Sequence, residues 1–382
     1  MSGQLDESLV RPGEGRWVGR ALPAVAGAVG ADVADAEDAR QALGLPRADR
    51  VCIALVDGLG HANLAERAGH APFLRGLLGG SAPLVTTFPS TTATAIASFG
   101  TGLRPGETGM LGYTVRNPAT GRIANLVSWT GLPEPEQWQP APSVTQRIAQ
   151  TGVPVTSVGP ARFEGSGLTR AAMRGATYRA ADTPDERVDA TAAALRRPGV
   201  VYLYWGEVDK TGHHDGWGSW QWGDALGTVD AHLRTLARRL PRGTVLAVTA
   251  DHGMVDADPA QRWDAATDPL LSRDVELTAG EPRALHVHVR AGADPLVVRE
   301  RWREALGEHA VVVTRDEAVA DGWFGPVRDG VLPVVGDLVV AMRGRATVVD
   351  SRSQTAAAIG LVGVHGSLTP TEMYVPWLVT VL

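Results

Sequence analysis

Apolar residues in this chain fall into short continuous runs separated by longer amphipathic stretches. Residues 50–56 are nearly all apolar, which predicts a strand buried on both faces of a parallel sheet. Similar runs at 153–158, 200–205 and 244–249 predict further strands, and 82–87 predicts a short one closed by Phe88-Pro89. Helical stretches are expected at 32–43, 61–78, 143–150, 184–196 and 223–240. Residues 92–99 are small and apolar and follow Ser90-Thr91-Thr92, the pattern of a buried helix with a hydroxyl-rich start. Strands alternating with helices predict an α/β fold, a parallel sheet with helices on both faces. From residue 256 the pattern changes: strands at 284–289, 310–314 and 338–342 and a helix at 295–306 predict a small α+β insertion. The expected organisation is a lead-in over 1–48, an α/β core over 49–255 and 346–382 that ends in a strand near 377–381, and an insertion over 256–345.

Composition narrows this picture. The chain has 382 residues, 44% hydrophobic and 20% charged, enough to bury a sizeable core. Its net charge of -6 argues against a nucleic-acid-coating surface, so an anionic ligand would need local positive charge. Basic residues are nearly all arginine; Lys210 is the single lysine. The one cysteine, Cys52, excludes an internal disulfide and a thiolate zinc cluster, and its apolar neighbours mark it as a buried small hydrophobe. Residues 1–20 are polar and lack the apolar stretch of a signal peptide. No apolar run approaches the roughly 20 residues that span a bilayer. The expectation is a cytoplasmic protein with no membrane partner; its oligomeric state stays open.

Acids and imidazoles gather at the ends of the predicted strands. Asp57 closes the first, Asp209 and His213 follow the run at 200–205, and Asp251-His252-Gly253 follows the run at 244–249. His365 lies between Gly363 and Gly366, ahead of the last strand. Ligands of open α/β sheets bind beyond the carboxyl ends of the strands, so Asp57, Asp209 and Asp251 are expected along one edge. A carboxylate and an imidazole at a buried strand end are costly unless paired or bound to a metal. Neutral imidazole nitrogens and carboxylate oxygens suit Zn2+, with Mn2+ a further candidate. A threonine at a helix start beside such ions is a nucleophile candidate. His286 and His288 alternate along an insertion strand and are expected on a partly exposed face. His214 and Asp215 adjoin the site, and Trp217, Trp220 and Trp222 are expected to form a packing cluster rather than a substrate wall.

These segments resemble the alkaline phosphatase superfamily, and within it the type I phosphodiesterase/nucleotide pyrophosphatase family. The resemblance is carried by Leu55-Val56-Asp57-Gly58, by Phe88-Pro89-Ser90-Thr91-Thr92 through Thr101-Gly102, by Asp209 to His213, by Asp251-His252-Gly253 and by Val364-His365-Gly366. It implies an alkaline-phosphatase-like parallel-sheet core and two divalent metal ions. Asp209, His213 and His365 would hold one ion; Asp57, Asp251, His252 and the nucleophile oxygen would hold the other. In the superfamily the nucleophile lies nine residues before the threonine of the Thr-Gly turn, which gives Thr92 when counted from Thr101. Thr91 is the near rival, and aligning Thr-Phe-Pro directly would choose Thr87. Relatives carry an asparagine where Tyr113 stands and a histidine where Thr108 stands, departures that bear on the substrate.

The implied function is metal-dependent hydrolysis of a small phosphorylated substrate, a phosphodiester or nucleotide pyrophosphate, through a phospho-threonine on Thr92. Tyr113 and a backbone N–H at the helix start would bind a non-bridging oxygen. Alternatives are a phosphomonoesterase, a phosphonoacetate-hydrolase-like C–P hydrolase and a metal-binding pseudoenzyme. A sulfatase is disfavoured, because Cys52 is misplaced for the nucleophile segment of such enzymes.

Overall fold

A computed structural model describes residues 8–382 apart from Glu14 and Ser81. The first seven residues of the expected lead-in lie outside the described residues. The two main sheets are built from β1 (Arg50–Val56), β2 (Val155–Gly159), β3 (Thr177–Ala180), β4 (Gly199–Trp205), β5 (Val245–Thr249), β6 (Val275–Glu281), β7 (Ala284–Val289), β8 (Ala310–Thr314), β9 (Leu338–Met342) and β10 (Trp377–Val381).

The central sheet runs β10-β5-β1-β4-β2-β3. It is parallel except for β10, which pairs antiparallel with β5. β1, β4 and β5 are almost wholly buried, because an unbroken apolar run has no polar face to offer water. Val56 lies opposite Trp205 and Leu55 opposite Thr249, so the three strands end nearly level. Helices flank the sheet in two groups. Ala21–Ala28, Thr92–Thr101 and Val144–Gln150 contact one another, and Trp220–Arg239 joins Pro184–Ala194 to Pro72–Leu78.

The second sheet runs β6-β7-β9-β8 and is antiparallel throughout. Helix Pro295–Leu306 packs on it through Val298, Trp302 and Leu306. The ties between this sheet and the rest of the chain include the following two. Thr114 and Gly280 exchange hydrogen bonds of 2.9 and 3.0 Å through the Thr114 hydroxyl. Arg283 donates to both oxygens of Glu372, at 3.0 and 2.7 Å, with both side chains fully buried.

Several expectations need correction. The lead-in contains a second helix, Ala21–Ala28, whose every residue is buried; a uniformly small apolar segment has no helical period to read. The stretch 61–78 is broken into His61–Glu66, a 3-10 turn and Pro72–Leu78, because Pro72 opens a new helix. Of residues 82–87 only Leu84–Val85 is a strand, paired with Tyr374–Val375 outside the central sheet. His286 and His288 are 1% and 3% exposed, because the face of β7 that carries them is covered, with Leu111, Phe324 and Gly336 in contact with His286.

Candidate active site

Asp57 follows β1 directly, and its N–H donates to the Trp205 carbonyl at 2.8 Å. Gly58, with φ 71°, turns the chain sharply there; a Cβ on it would lie 2.9 Å from the Asp209 Cβ. Asp209 and His213 stand one turn apart on helix Glu207–Asp215, which begins just past β4. Asp251 and His252 follow β5. The short strand Gly363–Val364 pairs with Val255–Asp256 and so returns His365 to the exit of β5. The fold thus brings Asp57, Asp209, His213, Asp251, His252 and His365 to one place.

The orientation of these groups is specific. The Nδ1 atoms of His213, His252 and His365 lie 2.7, 3.1 and 2.9 Å from the carbonyls of Gly363, Gly253 and Ser90. A carbonyl only accepts, so each Nδ1 carries a proton, and in the neutral ring the lone pair sits on Nε2. Those lone pairs face acids. His213 Nε2 is 3.4 Å from Asp209 Oδ1, and His252 Nε2 is 3.5 Å from Asp57 Oδ1 and 3.6 Å from Asp251 Oδ2. Asp57 Oδ1, Asp209 Oδ1 and Asp251 Oδ2 are buried and have no hydrogen-bond partner among the described residues. Acceptors turned toward acceptors repel unless a proton or a metal cation lies between them, and a set of imidazole nitrogens and carboxylate oxygens this close together fits divalent metal ions.

Ligand atoms lie within 4.8 Å of one another in two groups, Asp209-His213-His365 and Asp57-Asp209-His252. Asp209 therefore borders both groups, where the resemblance implied only one. Burial, then repulsion from Asp251 and Asp209, holds the Asp57 carboxyl well above the usual carboxylate range. Burial and the Asp209 charge push Asp251 up to about 7. Burial, with the neighbouring His252 and His213, holds the His365 imidazole well below its ordinary value and so keeps it neutral.

Thr92 opens helix Thr92–Thr101 and is its one residue that is not buried. Its hydroxyl lies 3.2 Å from His252 Nε2 and donates to that nitrogen when the ring is neutral. No side chain caps this helix, so first-turn N–H groups remain open to an anion. Thr91, the N-cap residue, is buried and lines the same cavity. Thr87 is elsewhere: its hydroxyl donates to the Pro89 carbonyl at 2.9 Å, and it lines a separate cavity with Arg104 and Phe324.

Asp57 and Asp209 open into a cavity of about 710 Å³ walled by Tyr113, Phe163, Tyr204, Arg162, Lys210 and Glu281, among others. Tyr113 is 47% exposed there. His214 lines the cavity, whereas Asp215 lies outside it and accepts from Gln221 Nε2 at 3.3 Å. The three tryptophans stand apart from the cavity: Trp222 is in the core, Trp217 packs against it and Trp220 is exposed.

Two site residues were missed from the sequence. Tyr204, on β4, donates its phenol hydrogen to Asp57 Oδ2. Glu281, at the end of β6, accepts the Tyr113 N–H at 2.8 Å. Each contact joins residues more than a hundred positions apart, and no local motif marks either one.

Solved structures with this architecture include murine ectonucleotide pyrophosphatase/phosphodiesterase 5, at 16% identity over 86% of this chain and 87% of that one, with a TM-score of 0.66. An inactive Thr-to-Ala variant of that mouse protein in complex with AMP aligns with a TM-score of 0.64, at 16% identity over 86% of this chain and 87% of that one. Phosphonoacetate hydrolase from Sinorhizobium meliloti in complex with phosphonoformate aligns at 21% identity over 87% and 90% of the two chains, with a TM-score of 0.68. These neighbours share the fold of the alkaline phosphatase superfamily. No curated protein matches this chain by sequence. The type I phosphodiesterase / nucleotide pyrophosphatase family matches residues 51–368, and the chain belongs to that family.

Proposed function

We propose that the protein hydrolyses a phosphodiester or nucleotide pyrophosphate bond through a covalent phospho-threonine on Thr92, at a pair of divalent metal ions, zinc or manganese. The observation that carries this reading is the meeting of three imidazole Nε2 lone pairs with three unpartnered carboxylate oxygens beside an accessible hydroxyl. Asp209, His213 and His365 would hold one ion, and Asp57, Asp251, His252 and the Thr92 oxygen the other. When bound, the ions supply positive charge that lowers the hydroxyl pKa and offsets charge on the phosphoryl oxygens.

The chain's own residues do the rest. Thr92 Oγ1 attacks phosphorus; its bond to phosphorus forms as the ester P–O bond breaks, and the leaving oxygen takes up a proton. Water then adds across the Thr92–phosphorus bond, restores the hydroxyl and releases the phosphorylated product. The uncapped N–H groups at the start of helix Thr92–Thr101 and the Tyr113 phenol bind the non-bridging oxygens. The cavity volume supports an ester with a substituent beyond the reacting phosphoryl group. The neighbour bound to AMP, in an inactive Thr-to-Ala form, supports the same reading. A C–P hydrolase acting on a phosphonate with a carboxylate is the second reading, favoured by Lys210 and Arg162 on the cavity wall and by the phosphonoacetate hydrolase neighbour.

The test is a panel of bis-p-nitrophenyl phosphate, p-nitrophenyl phosphate, ATP, a dinucleotide and phosphonoacetate, each with zinc and with manganese. Diester or pyrophosphate turnover that a chelator abolishes and zinc restores is expected. Thr92→Ala should lower kcat by about 10⁴-fold or more; a variant that keeps full turnover excludes the phospho-threonine.

A further inference from the structure

Glu281 belongs to the second sheet, yet its carboxyl lies on the wall of the cavity that holds Thr92 and His365. We infer that Glu281 is a positioning residue of this site, a single buried carboxyl that holds the Thr91–Thr92, Tyr113 and Gly366 segments in fixed relation. For its catalytic consequence the inference rests on the reading proposed above.

Three observations carry it. Glu281 Oε2 accepts the Tyr113 N–H at 2.8 Å, and the Thr91 hydroxyl faces the same carboxyl. It thereby ties the residue before the candidate nucleophile to the backbone of the candidate oxyanion donor. The second observation is a glycine cradle. A Cβ on Gly366, which follows His365, would lie 2.6 Å from Glu281 Cγ and 3.1 Å from Oε1; one on Gly112, which precedes Tyr113, would lie 3.9 Å from Oε1. The segments that carry His365 and Tyr113 each place a glycine beside this carboxyl. The third is that Glu281 is 6% exposed and its Oε1 has no hydrogen-bond partner among the described residues.

A buried carboxylate with an unpaired oxygen is costly, whereas a neutral carboxyl is far cheaper to bury. Burial pushes this group up to about 8, and the nearby Glu372 adds to the rise. The Arg283 guanidinium is committed to Glu372, and no ion pair to Glu281 occurs among the described residues. A neutral carboxyl has the shape of a carboxamide, so glutamine should replace it. Glu281 itself lies outside both groups of candidate metal ligands, so metal content is measured beside kcat.

The full-length, metal-loaded protein is compared with Glu281→Gln and Glu281→Ala, with Glu281→Leu added in case the alanine variant does not fold. Hydrogen exchange over residues 110–116, metal content, unfolding midpoint, kcat and KM on the best ester of the panel are measured. The glutamine variant should keep both the Tyr113 amide protection and kcat within about threefold. The alanine or leucine variant should exchange that amide at least about tenfold faster and lose about tenfold or more in kcat, with KM and metal content little changed. A folded alanine or leucine variant with wild-type exchange and wild-type kcat overturns the inference, and so does a glutamine variant as impaired as alanine. A wild-type protein inert toward every ester and phosphonate refutes the proposed function instead, and the exchange comparison still decides whether Glu281 positions Tyr113.

Discussion

Tyr204 donates to Asp57 Oδ2, and this leaves Asp57 Oδ1 turned toward His252 Nε2. Removing that phenol would let the carboxylate rotate away from the metal position. Tyr204→Phe should therefore weaken zinc binding by about 10–100-fold; competition with a chromophoric chelator measures it, and unchanged affinity would deny Tyr204 the role. Glu281 has a consequence for pH. The folded protein keeps its carboxyl protonated up to about 8, while the unfolded chain ionises near 4.5. Between those values folding takes up a proton, so the contribution of this group to stability falls as pH rises, by about 1.4 kcal/mol per pH unit. The groups facing it are the Tyr113 N–H, the Thr91 hydroxyl and the Glu372 charge. Glu281→Gln removes this slope, so urea unfolding should show the variant gaining on wild type from about pH 5 to 7.5. Parallel stability curves would contradict that assignment.

Among the elements, the exits of β1 and β5 approach so closely that glycine stands at both. A Cβ on Gly253 would meet the Thr371 carbonyl at 1.9 Å and Gly60 Cα at 2.9 Å. Gly253→Ala should cost at least about 2 kcal/mol in urea unfolding with chelator present. It should also weaken zinc binding, since the loops carrying Asp57 and Asp251 would be forced apart. The strands that end here were the most legible part of the chain. β1 matches its predicted bounds, because Val51 to Val56 form a run that only a doubly covered strand can bury. β3 was invisible: it is short, lies at the sheet edge and is mostly exposed, so its residues show no apolar pattern. β6 mixes Glu276, Thr278 and Gly280 with apolar residues, and its partners lie in sheet and cavity rather than in local sequence. The acids and histidines were legible because each closes or follows an apolar strand. Tyr204 and Glu281 were not, because their roles arise only when distant segments meet.

Across the whole molecule, the second sheet is bound to the core through charge as well as packing. Arg283 and Glu372 are both fully buried, and the pair is joined by Ser367 N–H and the Thr369 hydroxyl on the loop that follows His365. Glu372→Ala would leave the guanidinium buried and uncompensated, at a cost of about 3–5 kcal/mol. Unfolding of the variant should start at a lower urea concentration, with exchange rising first around residues 363–369; a loss below about 1 kcal/mol would mean that the pair is dispensable. No helix among the described residues is long and apolar enough to cross a membrane. The chain's single lysine, Lys210, is exposed on the cavity wall one residue from Asp209, while its single cysteine is buried in β1. Amine chemistry therefore finds one side chain in the entire protein, and that side chain stands on the wall of the cavity that Asp57 and Asp209 line. A dimethyl tag of carbon-13 placed there by reductive methylation would give one side-chain NMR signal, a built-in reporter on whatever enters the cavity.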